Sequence, residues 1–259
     1  MSKVKQSAKV ISQETLAEGV FSMWIDTPDI SKDAKEGQFI SLYCKDGTKL
    51  LPRPISICEI NEERTALRIV YRVVGGGTKE FSTYQAGDYI EILGPLGNGF
   101  MVQEGSALLI AGGIGIPPIV ELGKAIKKAG IGSIDIVVGY RDNETFLVKE
   151  LEKIGQVHIA TEDGSVGIKG NVMDCIREKK LLADNIYSCG PTPMLRAVKE
   201  FGTANNISTQ LSLEEKMACG IGACLACVCQ SKEKDSHTNV NNKRICKDGP
   251  VFFAQEVEI

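Results

Sequence analysis

The chain has 259 residues, 43% of them hydrophobic and 24% charged, with a formal net charge of −3. That composition excludes a disordered, collagen-like or fibrous chain, and the charge excludes a general electrostatic pull toward nucleic acid or anionic lipid. At roughly 100–200 residues per domain, the length predicts two domains with room for a small third.

The opening Met1-Ser2-Lys3-Val4-Lys5-Gln6-Ser7 has no apolar core behind its positive charges, so it does not read as a secretory signal. The longest apolar candidate, 107–120, is broken by glycines and prolines and falls short of the roughly 18 residues a membrane helix needs. A cytoplasmic protein with no membrane and no nucleic-acid partner is expected.

The first hundred residues read as strands. Short apolar or alternating runs occur at 20–25, 38–44, 55–58 and 66–73, separated by the turn residues Glu36-Gly37, Asp46-Gly47 and Ala86-Gly87-Asp88. Such spacing fits an antiparallel barrel or a sandwich, with one short helix over 78–84. After Gly94-Pro95-Leu96-Gly97-Asn98-Gly99 the pattern changes. Strands are predicted at 106–111, 134–138, 157–161 and 185–188, alternating with helices at 117–129, 146–154, 170–178 and 191–205. Strands alternating with helices indicate a parallel α/β sheet. That pattern ends near Leu213, and 231–243 reads as a polar loop. The expected fold class is multi-domain, β followed by α/β, with boundaries at 1–101, 102–210 and 211–259.

There are nine cysteines against two histidines, an odd number that does not suggest a disulfide framework in a cytosolic chain. Cys219, Cys224 and Cys227 are spaced by four and then two residues, and Cys246 follows at a distance. This is the spacing of plant-type [2Fe–2S] ligation. Gly220, Gly222 and Ala223 let one loop curl closely round a cluster, with backbone N–H groups free to bond sulfur, and a distant strand is expected to supply Cys246. A structural zinc site is the alternative, although zinc favours paired CxxC knuckles; unrelated core cysteines are a third possibility. Cys229 is expected to be a buried non-ligand, and Cys44, Cys58 and Cys175 small buried hydrophobes.

Two glycine-rich turns follow predicted parallel strands. Gly112, Gly113, Gly115 and Pro117 precede one helix; Cys189, Gly190, Pro191 and Met194 open another. Such turns let a backbone approach a phosphate or a planar ring at a helix N-terminus, and they also occur for packing alone. In the first domain Arg53, within Leu51-Pro52-Arg53-Pro54-Ile55-Ser56, has the geometry for bidentate phosphate pairing or for a solvated strand edge. Gly77 and Thr78 close a glycine run before a short helix. Val70, Tyr71 and Arg72 offer an aromatic and a cation to a flat cofactor, unless Tyr71 simply packs in the barrel.

Together these segments resemble the ferredoxin–NADP⁺ reductase superfamily. Arg53-Pro54-Ile55-Ser56 is similar to its RxxS flavin motif, 75–78 to its second flavin-phosphate turn, and 112–117 with Cys189-Gly190-Pro191 to its nicotinamide signatures. The segment from Glu214 to Cys227, with Arg244-Ile245-Cys246-Lys247-Asp248-Gly249-Pro250, closely resembles the electron-transfer subunits of NAD-dependent (class 1B) dihydroorotate dehydrogenases. The resemblance implies FAD and a [2Fe–2S] cluster as cofactors and NAD as exchanging substrate. It also implies an FMN-containing dihydroorotate dehydrogenase catalytic subunit as partner, two copies of each forming a heterotetramer in pyrimidine biosynthesis. Electrons would run from dihydroorotate through FMN, cluster and FAD to NAD⁺. It implies flavin contacts at Arg53, Pro54, Ile55, Ser56, Val70, Tyr71, Arg72, Gly77 and Thr78. Nicotinamide-side contacts would come from Gly112, Gly113, Gly115, Pro117, Cys189, Gly190, Pro191 and Met194, with Cys189 near the nicotinamide. The cluster ligands would be Cys219, Cys224, Cys227 and Cys246. Plant-type reductases end in an aromatic residue stacked on the flavin. This chain ends in Glu258-Ile259, so the flavin face is expected to be covered otherwise or open to nicotinamide. The alternative is a flavin/iron–sulfur subunit of another NAD(P)-linked complex, of ferredoxin:NADP⁺ oxidoreductase or sulfhydrogenase type. No residue is expected to act as a catalytic acid or base, and His158 and His237 fall outside the motifs. Arg141 and Asp142 argue in opposite directions on a 2′-phosphate.

Overall fold

The computed structural model describes residues 3–130, 132–234 and 239–259; His237 lies outside them. The first unit comprises β1 (Val4–Ala17), β2 (Val20–Asp26), α1 (Pro28–Ser31), β3 (Phe39–Tyr43), β4 (Arg53–Ile60), β5 (Ala66–Arg72), α2 (Gly76–Phe81) and β6 (Tyr89–Leu96). Among the described residues its strands close into an antiparallel barrel in the order β1-β2-β5-β4-β3-β6. A barrel, not a sandwich, is therefore the answer for this unit. Closure depends on β1, which pairs with β2 along one half and β6 along the other. The sequence gives little sign of β1, because Val4-Lys5-Gln6-Ser7-Ala8-Lys9-Val10 is mostly polar and buries only Ala8 and Val10. β6 does carry a signal, since the residues of Tyr89-Ile90-Glu91-Ile92 alternate exposed and buried.

The second unit runs β7 (Ala107–Gly112), α3 (Pro117–Ala129), β8 (Ile134–Tyr140), α4 (Val148–Leu151), β9 (Gln156–Thr161), β10 (Ile168–Lys169), α5 (Val172–Lys179), β11 (Asn185–Cys189), α6 (Thr192–Ala204) and β12 (Ser208–Ser212). The remaining elements are β13 (Val228–Ser231), β14 (Asn242–Arg244), α7 (Ile245–Asp248), β15 (Val251–Phe253) and β16 (Val257–Glu258). The central sheet has the order β10-β9-β8-β7-β11-β12-β15, parallel except for β15. α4 is much shorter than the helix expected over 146–154, because Leu147 adopts a left-handed φ of 67° that ends any helix entering from before it. β12 escaped the periodicity because Ser208-Thr209-Gln210-Leu211-Ser212 is polar. Its Gln210 is nevertheless buried, donating to Met101 O (2.7 Å) and accepting from Met101 N (2.9 Å). The segment expected to be a loop over 231–243 begins and ends in a hairpin, since β13 pairs with β14.

Three apolar clusters organise these parts. One fills the barrel, with Ile25, Ile40, Ile57, Leu67 and Phe81. A second joins the barrel's outer face, through Val20, Cys58 and Val70, to Leu109, Ile116, Ile119 and Val120. The third joins Phe39 and Leu96 of the barrel, Leu211 of the sheet, and Cys227, Ile245, Cys246 and Phe252 of the C-terminal segment. Burying each such aliphatic or aromatic side chain contributes about 1.5–3 kcal/mol.

A buried cation reinforces the second joint. Arg68 on β5 is 6% exposed. Its guanidinium donates to Ser22 Oγ at 2.8 Å, to Glu59 at 3.3 Å and, across to α4, to Glu150 at 2.7 Å. Truncating one partner of a buried ion pair strands the others. Arg68→Ala is expected to lower stability by about 3 kcal/mol in the first urea-unfolding transition; a loss below about 1 kcal/mol would mark the network as ordinary solvated surface.

Candidate functional site

The sheet order places β8 and β9 on one side of β7, and β11 and β12 on the other. The chain therefore reverses direction across the sheet between β7 and β11, and ligands of open α/β sheets bind outside the strand C-termini at such a point. Both glycine-rich turns stand there. β7 and β11 pair in parallel with Ala111 opposite Cys189. A Cβ on Gly115 would lie 2.6 Å from the Cys189 carbonyl carbon and 2.7 Å from Gly190 Cα, so the two turns touch only because Gly115 has no side chain. Met194, in the first turn of α6, lies against Gly112 and Gly190. Gly112, Gly115, Cys189, Gly190 and Met194 are thus brought together, with Gly113, Pro117 and Pro191 in the same two turns. Cys189 is buried, and burial pushes its thiol up to about 12 despite a hydrogen bond from Ser212. Arg141 and Asp142 stand exposed just beyond the end of β8. His158 bonds Asp135 at 2.8 Å between neighbouring strands and faces none of these turns.

The barrel presents β4 and β5 to this crevice: α3 packs along β4, and the short 3₁₀ turn Gly113–Gly115 meets β5. Arg53 opens β4, and its guanidinium lies across Gly77 at the start of α2, donating to the carbonyls of Leu51 and Lys49. Thr78 is buried, and its hydroxyl accepts from Val74 N and Gly75 N at 3.0 and 3.2 Å, folding the glycine run into a fixed turn. Arg53, Gly77 and Thr78 therefore form one cradle, next to Pro54, Ile55 and Ser56 on β4. Val70 packs in the joint between barrel and sheet, and Arg72 is exposed. Tyr71 corrects the expectation of a stacking aromatic. Its ring sits inside the barrel between Phe21 and Phe81, with its hydroxyl donating to Gln13 at 2.8 Å, so only its backbone faces outward.

The cysteine segment lies against both units. Gly220 and Gly222 adopt left-handed φ values of 69° and 85°, which wrap the loop so that Ile221 N and Ala223 N point at Cys219 Sγ from 3.5 and 3.3 Å. Burial opposes ionisation of Cys219, but these N–H donors and the contact with Cys224 prevail and bring its thiol down to about 6. Cys246 N donates to Cys227 Sγ at 3.4 Å, and burial with the Cys227 contact pushes Cys246 up to about 12. The thiols thus stand as two pairs, Cys219 with Cys224 and Cys227 with Cys246. Among the described residues no three candidate ligands gather round a single point. Thiols in this four-then-two spacing, with a fourth from α7, are a donor set that fits a [2Fe–2S] cluster.

Three cysteine expectations are corrected. Cys246 lies in the helical turn α7 that directly follows β14, not on a strand. Cys229, on β13, is half-buried. Cys44 is half-buried beside Glu80 and Arg53 rather than in the core; Cys58 and Cys175 are buried as expected.

Sequence reasoning missed the clamp behind this loop. Arg244 is buried, pairs with Asp248 through Nε at 2.9 Å and Nη2 at 3.2 Å, and reaches Gly222 O at 3.4 Å. Asp248 O accepts from Asn98 of the barrel at 2.8 Å. The i,i+4 spacing of opposite charges was the available signal. It also missed Ser41, for which no signal exists: among the described residues its hydroxyl and that of Ser188 are the buried side-chain polar atoms without a partner.

Comparison with known proteins identifies the family and the fold. Residues 214–258 match the iron–sulfur cluster binding domain of dihydroorotate dehydrogenase B, and residues 109–200 match the oxidoreductase NAD-binding domain. The chain is 42% identical, over 98% of both sequences, to the dihydroorotate dehydrogenase B (NAD⁺) electron transfer subunit of Caldanaerobacter subterraneus. It is 43% identical to the subunit of the same name from Listeria monocytogenes, over 97% of this chain and 98% of the relative. The solved structure of an NADH-dependent reduced ferredoxin-NADP oxidoreductase superposes with a TM-score of 0.87 at 29% identity, covering 98% of this chain and 90% of that one.

The contact between the two sheet turns makes a sharp expectation. Gly115→Ala must part them, costing about 1–3 kcal/mol of overpacking in thermal unfolding, and opening Cys189 to iodoacetamide at pH 8. In the unsubstituted protein Cys189 should stay unalkylated until the chain is denatured. Ready alkylation of native Cys189 would contradict its burial.

Proposed function

Since the chain belongs to the family of dihydroorotate dehydrogenase B (NAD⁺) electron transfer subunits, we propose that it carries electrons from an FMN-containing dihydroorotate dehydrogenase catalytic subunit to NAD⁺, in pyrimidine biosynthesis. The greater identity to these subunits favours this reading over a subunit of ferredoxin:NADP⁺ oxidoreductase type. The family's name implies a catalytic partner; the reading adds that the two associate as a heterotetramer with two copies of each, in the cytoplasm. No helix among the described residues is long and apolar enough to cross a membrane.

One observation carries the reading. The turns at the sheet's reversal point pack against β4 and β5, the Arg53 cradle stands at the start of β4, and the cysteine loop lies against Ser41 of β3, so the three features gather on neighbouring strands of one barrel. The residues fit the groups they would hold. Arg53 with Gly77 and Thr78 would hold the pyrophosphate of FAD, and Pro54, Ile55, Ser56 and the backbone of Val70, Tyr71 and Arg72 its flanks. Gly112, Gly113, Gly115, Pro117, Cys189, Gly190, Pro191 and Met194 would hold NAD. Cys219, Cys224, Cys227 and Cys246 would bind a [2Fe–2S] cluster. Residues 1–101, 102–210 and 211–259 are the units that supply these three sites.

Flavin, when bound, exchanges hydride with nicotinamide and single electrons with an iron–sulfur cluster; the protein supplies position and potential. Dihydroorotate loses two electrons and two protons at the partner, and NAD⁺ takes two electrons and one proton here. A cluster delivers electrons without protons, so the one proton that leaves with the hydride would come from solvent, and none of the site residues is assigned to deliver it. Arg53 neutralises phosphate charge. The Gly115 contact holds the two nicotinamide turns at one spacing. The N–H groups of Ile221 and Ala223 stabilise negative charge on Cys219.

The decisive experiment is co-purification with the catalytic partner and an assay of dihydroorotate-dependent NAD⁺ reduction; a complex with bound FMN and no turnover would refute the reading. Within that complex, Cys224→Ser is expected to abolish the cluster's visible absorbance and the dihydroorotate-linked reaction, while NADH reduction of an artificial dye through the flavin persists. Arg53→Ala is expected to weaken FAD binding roughly 10–100-fold, the loss of a charge-assisted hydrogen-bond pair, read by flavin fluorescence on dilution.

A further inference from the structure

Ser41 sits in the middle of β3, 1% exposed, and its hydroxyl has no partner. An unpaired buried hydroxyl is an exception that calls for an explanation such as a missing ion or ligand. Two elements flank it. In the β3–β4 register Ser41 stands opposite Pro54, and the next pair on the same outer face is Phe39 opposite Ser56; directly opposed residues of an antiparallel pair are in side-chain contact. From the other side comes the cysteine loop. A Cβ on Gly220 would lie 3.0 Å from Ser41 Oγ, and Gly220 directly follows Cys219. Ser41 is thus the polar group between the Arg53–Ser56 segment and the cysteine loop.

The surroundings name the acceptor. Pro54 has no N–H, and Leu93 of β6, opposite Ser41 on the other side, is apolar. Leu96 also lines Gly220. The loop's own donors, Ile221 N and Ala223 N, already converge on Cys219 Sγ from their side. Sulfur is the acceptor around which this loop is built, and Ser41 Oγ lies beside Gly220, the residue that follows Cys219.

We propose that the Ser41 hydroxyl donates a hydrogen bond to a sulfur of the cluster held by Cys219 and its companions, on the side facing the flavin strand, and so raises the cluster's reduction potential. The proposal rests on the cysteine loop being a [2Fe–2S] site. The physical reason is charge: the reduced cluster carries one more negative charge, so a donor to its sulfurs favours reduction, and hydrogen bonds to sulfur are among the factors that set such potentials. Ser41 is a positioning residue; it ligates nothing.

The test uses the holo subunit with FAD and iron. Ser41→Ala is expected to lower the cluster midpoint by about 59 mV, a tenfold change in a one-electron equilibrium, in an EPR-monitored redox titration. Iron content, FAD content and the flavin couple should not move. In the unsubstituted protein, exchange into D₂O should remove a proton coupling from the ENDOR spectrum of the reduced cluster, and that coupling should be missing in Ser41→Ala. An unchanged midpoint with the same exchangeable coupling in Ser41→Ala overturns the proposal. So does a shift confined to the flavin couple, which would assign the hydroxyl to the flavin. If Ser41→Ala does not retain its cluster, Ser41→Thr decides: the coupling kept supports the hydroxyl bond, and the coupling lost overturns it. A protein with no [2Fe–2S] EPR signal at all would refute the cluster reading itself, a failure distinct from an intact cluster indifferent to Ser41.

Discussion

Ligands carried on loops are held only as firmly as the packing behind them. Here that packing is one apolar joint, where Phe39 and Leu96 of the barrel meet Leu211 of the sheet and Ile245, Cys246, Cys227 and Phe252 of the C-terminal segment. Cys227 and Cys246 belong to this joint and are buried in it, while Cys219 and Cys224 lie further out on the loop. The inner pair is fixed by core packing, and the outer pair by left-handed glycines and the Arg244–Asp248 clamp. Rigid support of this kind is what a redox site needs, since its geometry must survive a change of charge.

The other two sites borrow the same framework. The reversal between β7 and β11 would leave an open crevice in any sheet of this order. The barrel walls that crevice on one side, because β4 packs on α3 and β5 on the turn after β7. The outer face of β3 and β4 then carries Pro54 and Ser56 beside Ser41, with the cysteine loop upon it at Gly220. The two sheet turns, the Arg53 cradle and the cysteine loop thus stand on neighbouring strands of one barrel.

Much of this was legible because it rested on local patterns. The 4-then-2 cysteine spacing, the glycines after β7 and β11, and the Arg53 segment each sit within a dozen residues, where sequence order is a good guide to spatial order. What was illegible depended on distant partners. β1 and β12 are polar strands whose inward residues are stabilised by pairing and by side-chain bonds to far segments, such as Gln210 to Met101. Tyr71 read as a cofactor face because an aromatic next to a cation looks the same whichever way the strand turns; a shift of one position in strand phase sends it into the barrel. Ser41 carried no sign at all, since its interest lies in what is opposite it and above it.

β15 has a consequence for how the molecule is made. It comes from the cysteine segment yet pairs antiparallel with β12, completing the sheet. Until it arrives, β12 has an unpaired edge, and exposed edges recruit other strands. Roughly 40 residues separate the two strands, which at ribosomal speed leaves that edge bare for a few seconds. The nascent chain therefore passes through a vulnerable interval that ends when the segment bearing the cluster ligands folds back. Capture of the cluster ligands and protection against misassociation are thereby linked in one late event of synthesis.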